Sequence, residues 1–278
     1  MKWLFRFILS HSIFISFCAA ALSLQTLQLL LLPVNGYLLA FIFFATLAGY
    51  NAYWMISRFT FNRHDTVIEF IKQSRSSSLV FIFATAGVFI CFTNLHLVMY
   101  NIITAFILLG MYAIPVMPFK QLHFTRKAGF LKTIVLAAAW AIVTTLVPLQ
   151  LSIFNLGQTA TLILINRFLF MLMLCIIFDK RDVAVDKIRG LQSLATGFSP
   201  LLLHCFMGLI FLGYAWSSYA MLAQQVSLPQ VAALLSAGII TLLVYASSLK
   251  QKGYFFYYFL VDGLMFLSAL LTGIAGAL

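Results

Sequence analysis

Apolar positions along this chain do not alternate with polar ones at the period of a strand, nor form the one-sided stripe of a surface helix; they run almost unbroken for about 20 residues at a time. Such runs occupy about 9–32, 36–57, 78–97, 99–117, 133–153, 158–178, 200–222, 228–248 and 254–276. Each matches the length an α-helix needs to cross a hydrocarbon core about 30 Å thick. The expectation is an all-α polytopic membrane protein, one transmembrane domain over residues 1–278 with nine helices. The first run opens on basic residues like a signal peptide, but its apolar stretch continues to Pro33 and predicts an anchor. The boundary between the third and fourth runs rests only on Asn94, His96 and Asn101.

Composition agrees with lipid as the solvent. Of the 278 residues, 63% are apolar and only 8% charged, far from the roughly 25% charged of soluble domains. Four cysteines, Cys18, Cys91, Cys175 and Cys205, lie inside apolar runs without CxxC spacing, and read as small core residues.

The net charge of +11 becomes informative once placed on the runs. Lys2 and Arg6 precede the first; Arg58, Arg63, Lys72 and Arg75 follow the second; Lys120, Arg126, Lys127 and Lys132 follow the fourth. Lys180, Arg181, Lys187 and Arg189 follow the sixth, and Lys250 and Lys252 the eighth. Thus 16 of the 17 basic residues fall in every second connection, Arg167 being the exception. The positive-inside rule puts the N-terminus and all basic loops in the cytoplasm and the C-terminus outside. A multi-pass protein of a bacterial cytoplasmic membrane is the expected localisation. Basic residues spread over five loops form no stripe for nucleic acid.

Three of the six acidic residues stand together in IIFDKRDVAVDKIRG. Asp179, Asp182 and Asp186, at i, i+3 and i+7, share one face of a helix prolonging the sixth run. Carboxylates so close repel and require a cation. Lys180, Arg181, Lys187 and Arg189 could supply it as a solvated juxtamembrane helix; a hard divalent ion such as Mg²⁺ with a substrate diphosphate is the sharper reading.

The stretch FDKRDVAVDKIRGLQSLA resembles the second aspartate-rich motif of UbiA-type integral membrane prenyltransferases, DxRDxxxDxxxG, with Asp179, Arg181, Asp182, Asp186 and Gly190 at the matching positions. The resemblance implies nine helices around a central cavity open to cytoplasm and lipid. It also implies transfer of an isoprenoid group from a prenyl diphosphate to an aromatic or other lipophilic acceptor. Mg²⁺ would be held by Asp179, Asp182 and Asp186. A basic residue after a Tyr-Pro segment belongs to the family's diphosphate site, and MYAIPVMPFK offers Tyr112, Pro115 and Lys120; a plain positive-inside role for Lys120 is equally open. Arg181 and Lys187 join the diphosphate candidates.

The family's first motif, NDxxDxxxD, has lost its acids here: Asn51 remains, but Ala52, Met55 and Phe59 hold the aspartate positions. Arg58, seven residues after Asn51 on the same helical face, is the candidate to replace the missing metal as a diphosphate clamp. Asp65 and Glu69 read as a solvated loop helix. The departure leaves a second reading, a non-catalytic isoprenoid- or lipid-binding relative.

Two charges lie at bilayer depth. Arg167 is 12 residues, about 18 Å, before Asp179, and Asp262 is ten residues, about 15 Å, beyond Lys252. Opposite sign and similar depth predict an ion pair joining the sixth and ninth helices. A small-solute transporter using that pair as its midplane site is a third reading, but the matched Gly/Pro breaks such carriers show are absent from the runs. His11, His64, His96, His123 and His204 follow no metal-ligand spacing.

Overall fold

The computed structural model describes residues 2–61, 75–95, 99–113, 129–151, 155–189, 193–250 and 252–277, with no strand among them. The helices are α1 (Lys2–Ser10), α2 (Ile13–Leu29), α3 (Gly36–Phe61), α4 (Arg75–Thr93) and α5 (Met99–Ala113). α6 combines Gly129–Ala141, a π-helical turn Ile142–Leu146 and Val147–Leu149. There follow α7 (Gln158–Arg189), a single turn α8 (Leu194–Gly197), α9 (Pro200–Ala220) and α10 (Leu228–Ser247). α11 opens with a π-helical turn, Phe256–Val261, and runs on as Asp262–Gly276.

Every apolar run is helical where it is described, but not every one is a plain span. Seven helices are long and apolar enough to cross a membrane, and α1 with α2 would make an eighth. Met99–Met111 within α5 is apolar but shorter. The count of nine crossings is therefore not reproduced among the described residues. The first run departs most: instead of one helix over 9–32, α1 and α2 meet at 63°. Ser12 there has φ 62°, a left-handed conformation that L residues adopt at a cost of about 1–2 kcal/mol. No glycine or proline announces it. The bend is held from a distance, because Asn51 of α3 donates its side-chain amide to the His11 carbonyl at 3.0 Å and to the Leu47 carbonyl at 2.8 Å.

Other helix ends follow local rules. Asn35 accepts from the Tyr37 amide at 2.9 Å ahead of α3. Ser199 caps α9 and Ser227 caps α10, each accepting from the backbone three residues on, with a proline in the first turn where its missing N–H is no loss.

Helices adjacent in sequence pack together, α2 on α3, α3 on α4, α5 on α6, α6 on α7, α9 on α10 and α10 on α11, while α7 also packs on α9. The ring closes where α11 lies along α2, and α2 reaches the π-turn of α6. Interhelical polar contacts fix these pairings. Gln25 donates to the Ser268 carbonyl and hydroxyl, both at 3.0 Å, and to Thr272 at 2.9 Å, joining α2 to α11. Asn166 of α7 donates to the Tyr214 carbonyl, Ser217 and Ser218 of α9. Asn101, read from sequence as loop punctuation, lies in α5 and ties it to the Leu146 and Leu151 carbonyls. In hydrocarbon such bonds matter because no water replaces them.

The outer surface is the inverse of a soluble protein's: Leu79, Phe83, Ile90, Phe106, Leu201 and Leu209 are exposed. A surface this apolar is made for lipid, and the protein is an integral membrane protein. Three cysteines are buried, as expected of core residues, but Cys205 is exposed on α9, so that expectation fails for it. Its position in an apolar run satisfied a lipid-facing surface as well as a core.

Candidate functional site

α7 does not stop at the membrane edge. It continues unbroken to Arg189, so that Asp179, Asp182 and Asp186 are carried on one rigid helix. The packing of α7 against α6 brings Thr133 to Asp179, and the hydroxyl donates to the carboxylate at 2.6 Å. Asp182 is engaged differently. Arg181 grips it with two parallel bonds, Nε to Oδ1 at 2.6 Å and Nη2 to Oδ2 at 2.8 Å, the fork geometry for which guanidinium is suited.

The same guanidinium sits in an aromatic cage. Its carbon lies 4.9 Å from the ring centre of Phe178, 5.5 Å from Tyr257 and 4.9 Å from Tyr258, all within cation–π range. Tyr257 and Tyr258 belong to the π-turn of α11. A π-turn inserts one residue and redirects those around it, a feature frequent at functional sites. Lys180 points the other way, 5.6 Å from the Tyr245 ring of α10. Lys180 and Arg181, neighbours in sequence, are thus divided between two helices, with Arg181 on the Asp182 carboxylate.

Fit to a divalent cation can be judged from the donors. Among the described residues no group of three acidic, histidine or cysteine side chains could hold a metal. Asp179 and Asp182 remain, two hard oxygen donors on one face. That is the sparse protein ligation Mg²⁺ takes when substrate phosphates complete its shell, and not a cage formed by the protein alone.

The other sequence candidates divide into three groups. Asn51 is buried, 2% exposed, and both its amide hydrogens brace the α1–α2 bend and its own helix. Its part in a diphosphate site would therefore fall to the side-chain oxygen. Arg58 lies on α3, and Asp186 and Lys187 on α7, but their side chains are outside the described part; Lys120, Asp65, Glu69, His64, His96 and His123 fall outside the described residues altogether. Asp179, Asp182 and Arg181 come together as the spacing required.

The expected Arg167–Asp262 ion pair does not form. Both are buried, at 3% and 4% exposure. Arg167 faces α2, donating Nη2 to Thr26 at 3.3 Å, while its Nη1 has no hydrogen-bond partner. The buried Oδ1 of Asp262 has none either, and the cation whose field reaches it is Arg181. Rise per residue gave depth but not the direction in which each side chain leaves its helix. The expected consequence is additivity. Stability losses for Arg167→Ala and Asp262→Ala, measured by thermal unfolding in detergent, should sum to that of the double variant within about 0.5 kcal/mol. An interaction energy above about 1 kcal/mol would restore the pair.

Three contributors carried no sequence signal pointing to this site. Thr133 looked like part of an apolar helix start. Tyr257 and Tyr258 lay in YFFYYF, indistinguishable there from lipid-facing aromatics. Only the crossing of α6, α7 and α11 identifies them.

Neither a family model nor a curated protein sequence matches this chain. A solved structure of a digeranylgeranylglyceryl phosphate synthase in membranes does match in fold, with a TM-score of 0.59 and 11% identity, covering 99% of each chain. At that identity the likeness is one of architecture, extending over the whole of both molecules.

Proposed function

We propose that this protein is a UbiA-like membrane prenyltransferase, moving an isoprenoid group from a prenyl diphosphate to an aromatic or other lipophilic acceptor at the cytoplasmic face. One observation carries the reading: Asp179 and Asp182 lie three residues apart on α7, the first held by Thr133 and the second by the caged guanidinium of Arg181, in the stretch that resembles the second aspartate-rich motif. Support comes from the fold, whose counterpart is a prenyl-transferring synthase of the UbiA type. An apolar membrane interior suits an isoprenoid tail, and lipid supplies the route by which both substrates arrive.

The chemistry asked of the residues is electrostatic. Breaking the bond between the allylic carbon and its diphosphate oxygen leaves a delocalised carbocation and a departing group that gains negative charge. Mg²⁺ bound through Asp179, Asp182 and Asp186 would supply Lewis-acid neutralisation of that charge. Thr133 holds the Asp179 carboxylate in one orientation. Arg181 brings a fixed positive charge close to the departing group, with its charge screened from lipid by three aromatic faces. Lys187, Lys120 and Arg58 are further cations proposed for the diphosphate. With Asn51 engaged in the backbone, Arg58 is the group left to compensate for the lost first motif. Water is kept from the cation by the apolar walls. The positive-inside distribution orients this face to the cytoplasm.

The missing acids at Ala52, Met55 and Phe59 favour one rival, an isoprenoid-binding relative without turnover. Purified protein incubated with prenyl diphosphates and Mg²⁺ distinguishes them. Diphosphate release is expected, and should fall at least about 100-fold in Asp182→Ala, the loss typical of removing one electrostatic contributor to a transition state. Release unchanged by that substitution would sink the assignment, and binding without release would establish the rival.

A further inference from the structure

Asp262 is a carboxyl group buried among four helices without a hydrogen bond to its inner oxygen. Among the described residues, the uncharged ionisable side chains within its electrostatic field include Cys18 of α2, Tyr50 of α3, Cys175 of α7, Tyr254 just ahead of α11 and Tyr258 of α11. Arg181 is the cation within electrostatic reach, although it makes no ion pair with Asp262. An unpaired acid at this depth costs several kcal/mol, so its retention calls for a partner in some state of the protein.

Arg181 has the complementary deficit. Its Nε and Nη2 are taken by Asp182, and its Nη1 is buried without a partner. Tyr258 connects the two groups: its ring lies 4.9 Å from the guanidinium, and Asp262 stands four residues further along the same helix, about one turn deeper. The aromatic cage is thus a track with a carboxylate at each end.

A conflict at Asp182 gives this arrangement a use. A carboxylate with both oxygens in an arginine fork cannot at the same time offer them freely to a Mg²⁺ ion that carries the diphosphate. Opening the fork would leave the guanidinium, whose side chain is 23% exposed, without its counter-charge. Asp262, one helical turn beyond the Tyr258 ring that touches Arg181, would offer a second counter-charge. We propose that Asp262 is a positioning residue for Arg181, receiving its guanidinium when Asp182 turns to Mg²⁺ and diphosphate. Arg181 then keeps its place over the Tyr258 ring, neutralised from below and with its outer edge turned to the bound phosphate. The inference rests on the diphosphate reading of Asp179 and Asp182.

The test uses the whole protein in detergent micelles, with inorganic diphosphate and Mg²⁺ as the probe and calorimetric titration as the measure of affinity. Asp262→Asn, nearly isosteric, is expected to weaken binding about tenfold, and Asp262→Glu, which retains the carboxylate, to stay within about threefold of the parent, a difference in the range of ordinary coupling energies. Side-chain NMR of arginine supplies a readout that a purely structural role would not move. The Arg181 Nε signal, assigned by its disappearance in Arg181→Lys, should shift on addition of the probe in the parent and in Asp262→Glu, and stay in place in Asp262→Asn. Equal losses of affinity in the Asn and Glu variants, or an Arg181 signal that shifts alike in the parent and Asp262→Asn, would overturn the inference alone. Failure of the parent protein to bind Mg²⁺ with diphosphate would overturn the functional reading, and this with it.

Discussion

Arg181→Ala is expected to lower diphosphate release by about two to three orders of magnitude, the largest functional loss at a single position here. Two effects add. The departing diphosphate loses a charge held in a fixed position. Asp182 also loses its partner in the substrate-free protein, and Asp262 the guanidinium it would receive when the fork opens. Arg181→Lys separates these effects, because lysine keeps the charge but cannot make the paired contact. It should recover about a tenth of the parent rate or less, with a greater requirement for Mg²⁺. A lysine variant indistinguishable from the parent would mean that the fork is incidental, and an alanine variant with ordinary activity would remove Arg181 from the site. The measurement is steady-state diphosphate release across a Mg²⁺ series in detergent or reconstituted vesicles.

The largest structural loss is expected at Gly238 of α10. A β-carbon built there falls 2.5 Å from Cε1 and 2.9 Å from Cδ1 of Tyr214, whose ring is enclosed and cannot swing away. Tyr214 is also pinned at its far end, where its hydroxyl donates to the Leu234 carbonyl at 2.7 Å. Gly238→Ala must therefore part α9 from α10 or break that bond. Overpacking costs typically about 1–3 kcal/mol, and a buried hydroxyl left unpaired about 1–3 kcal/mol more. A loss of about 3 kcal/mol is expected, read as a lowered unfolding midpoint in detergent. Combining the change with Tyr214→Phe should recover little, since the ring remains; Tyr214→Leu should recover much of it by clearing the space. Were Gly238→Ala as stable as the parent, the close approach of α9 and α10 would be wrong.

These two positions illustrate unequal legibility. The acidic face of α7 could be read directly, because residues three and four apart on one helix are neighbours whatever surrounds them. Gly238 could not, since its importance lies in a ring from another helix. The same contrast holds at the N-terminus. A continuous apolar run predicted one helix over 9–32, but the amide of Asn51, forty residues later, captures the His11 carbonyl and stabilises a bend that local propensity disfavours. Arg167 and Asp262 repeat the lesson: counting residues along each helix gave an expected depth, and their pairing depended on azimuth, which packing alone sets.

By itself, the sequence determined that this is an all-helical protein of the membrane, and that three aspartates are spaced at i, i+3 and i+7 along one helix. Those conclusions follow from apolar length, from the period of the helix and from the scarcity of charge, all of them local quantities. The tertiary structure decided which charge meets which. It put Thr133 on Asp179, enclosed Arg181 between Phe178 and the tyrosines of the α11 π-turn, directed Arg167 to Thr26, and left Asp262 within the field of Arg181. In a medium that offers neither water nor counterions, a charge is stabilised only by the side chains that other helices bring to it, and that arrangement is set by how the helices cross.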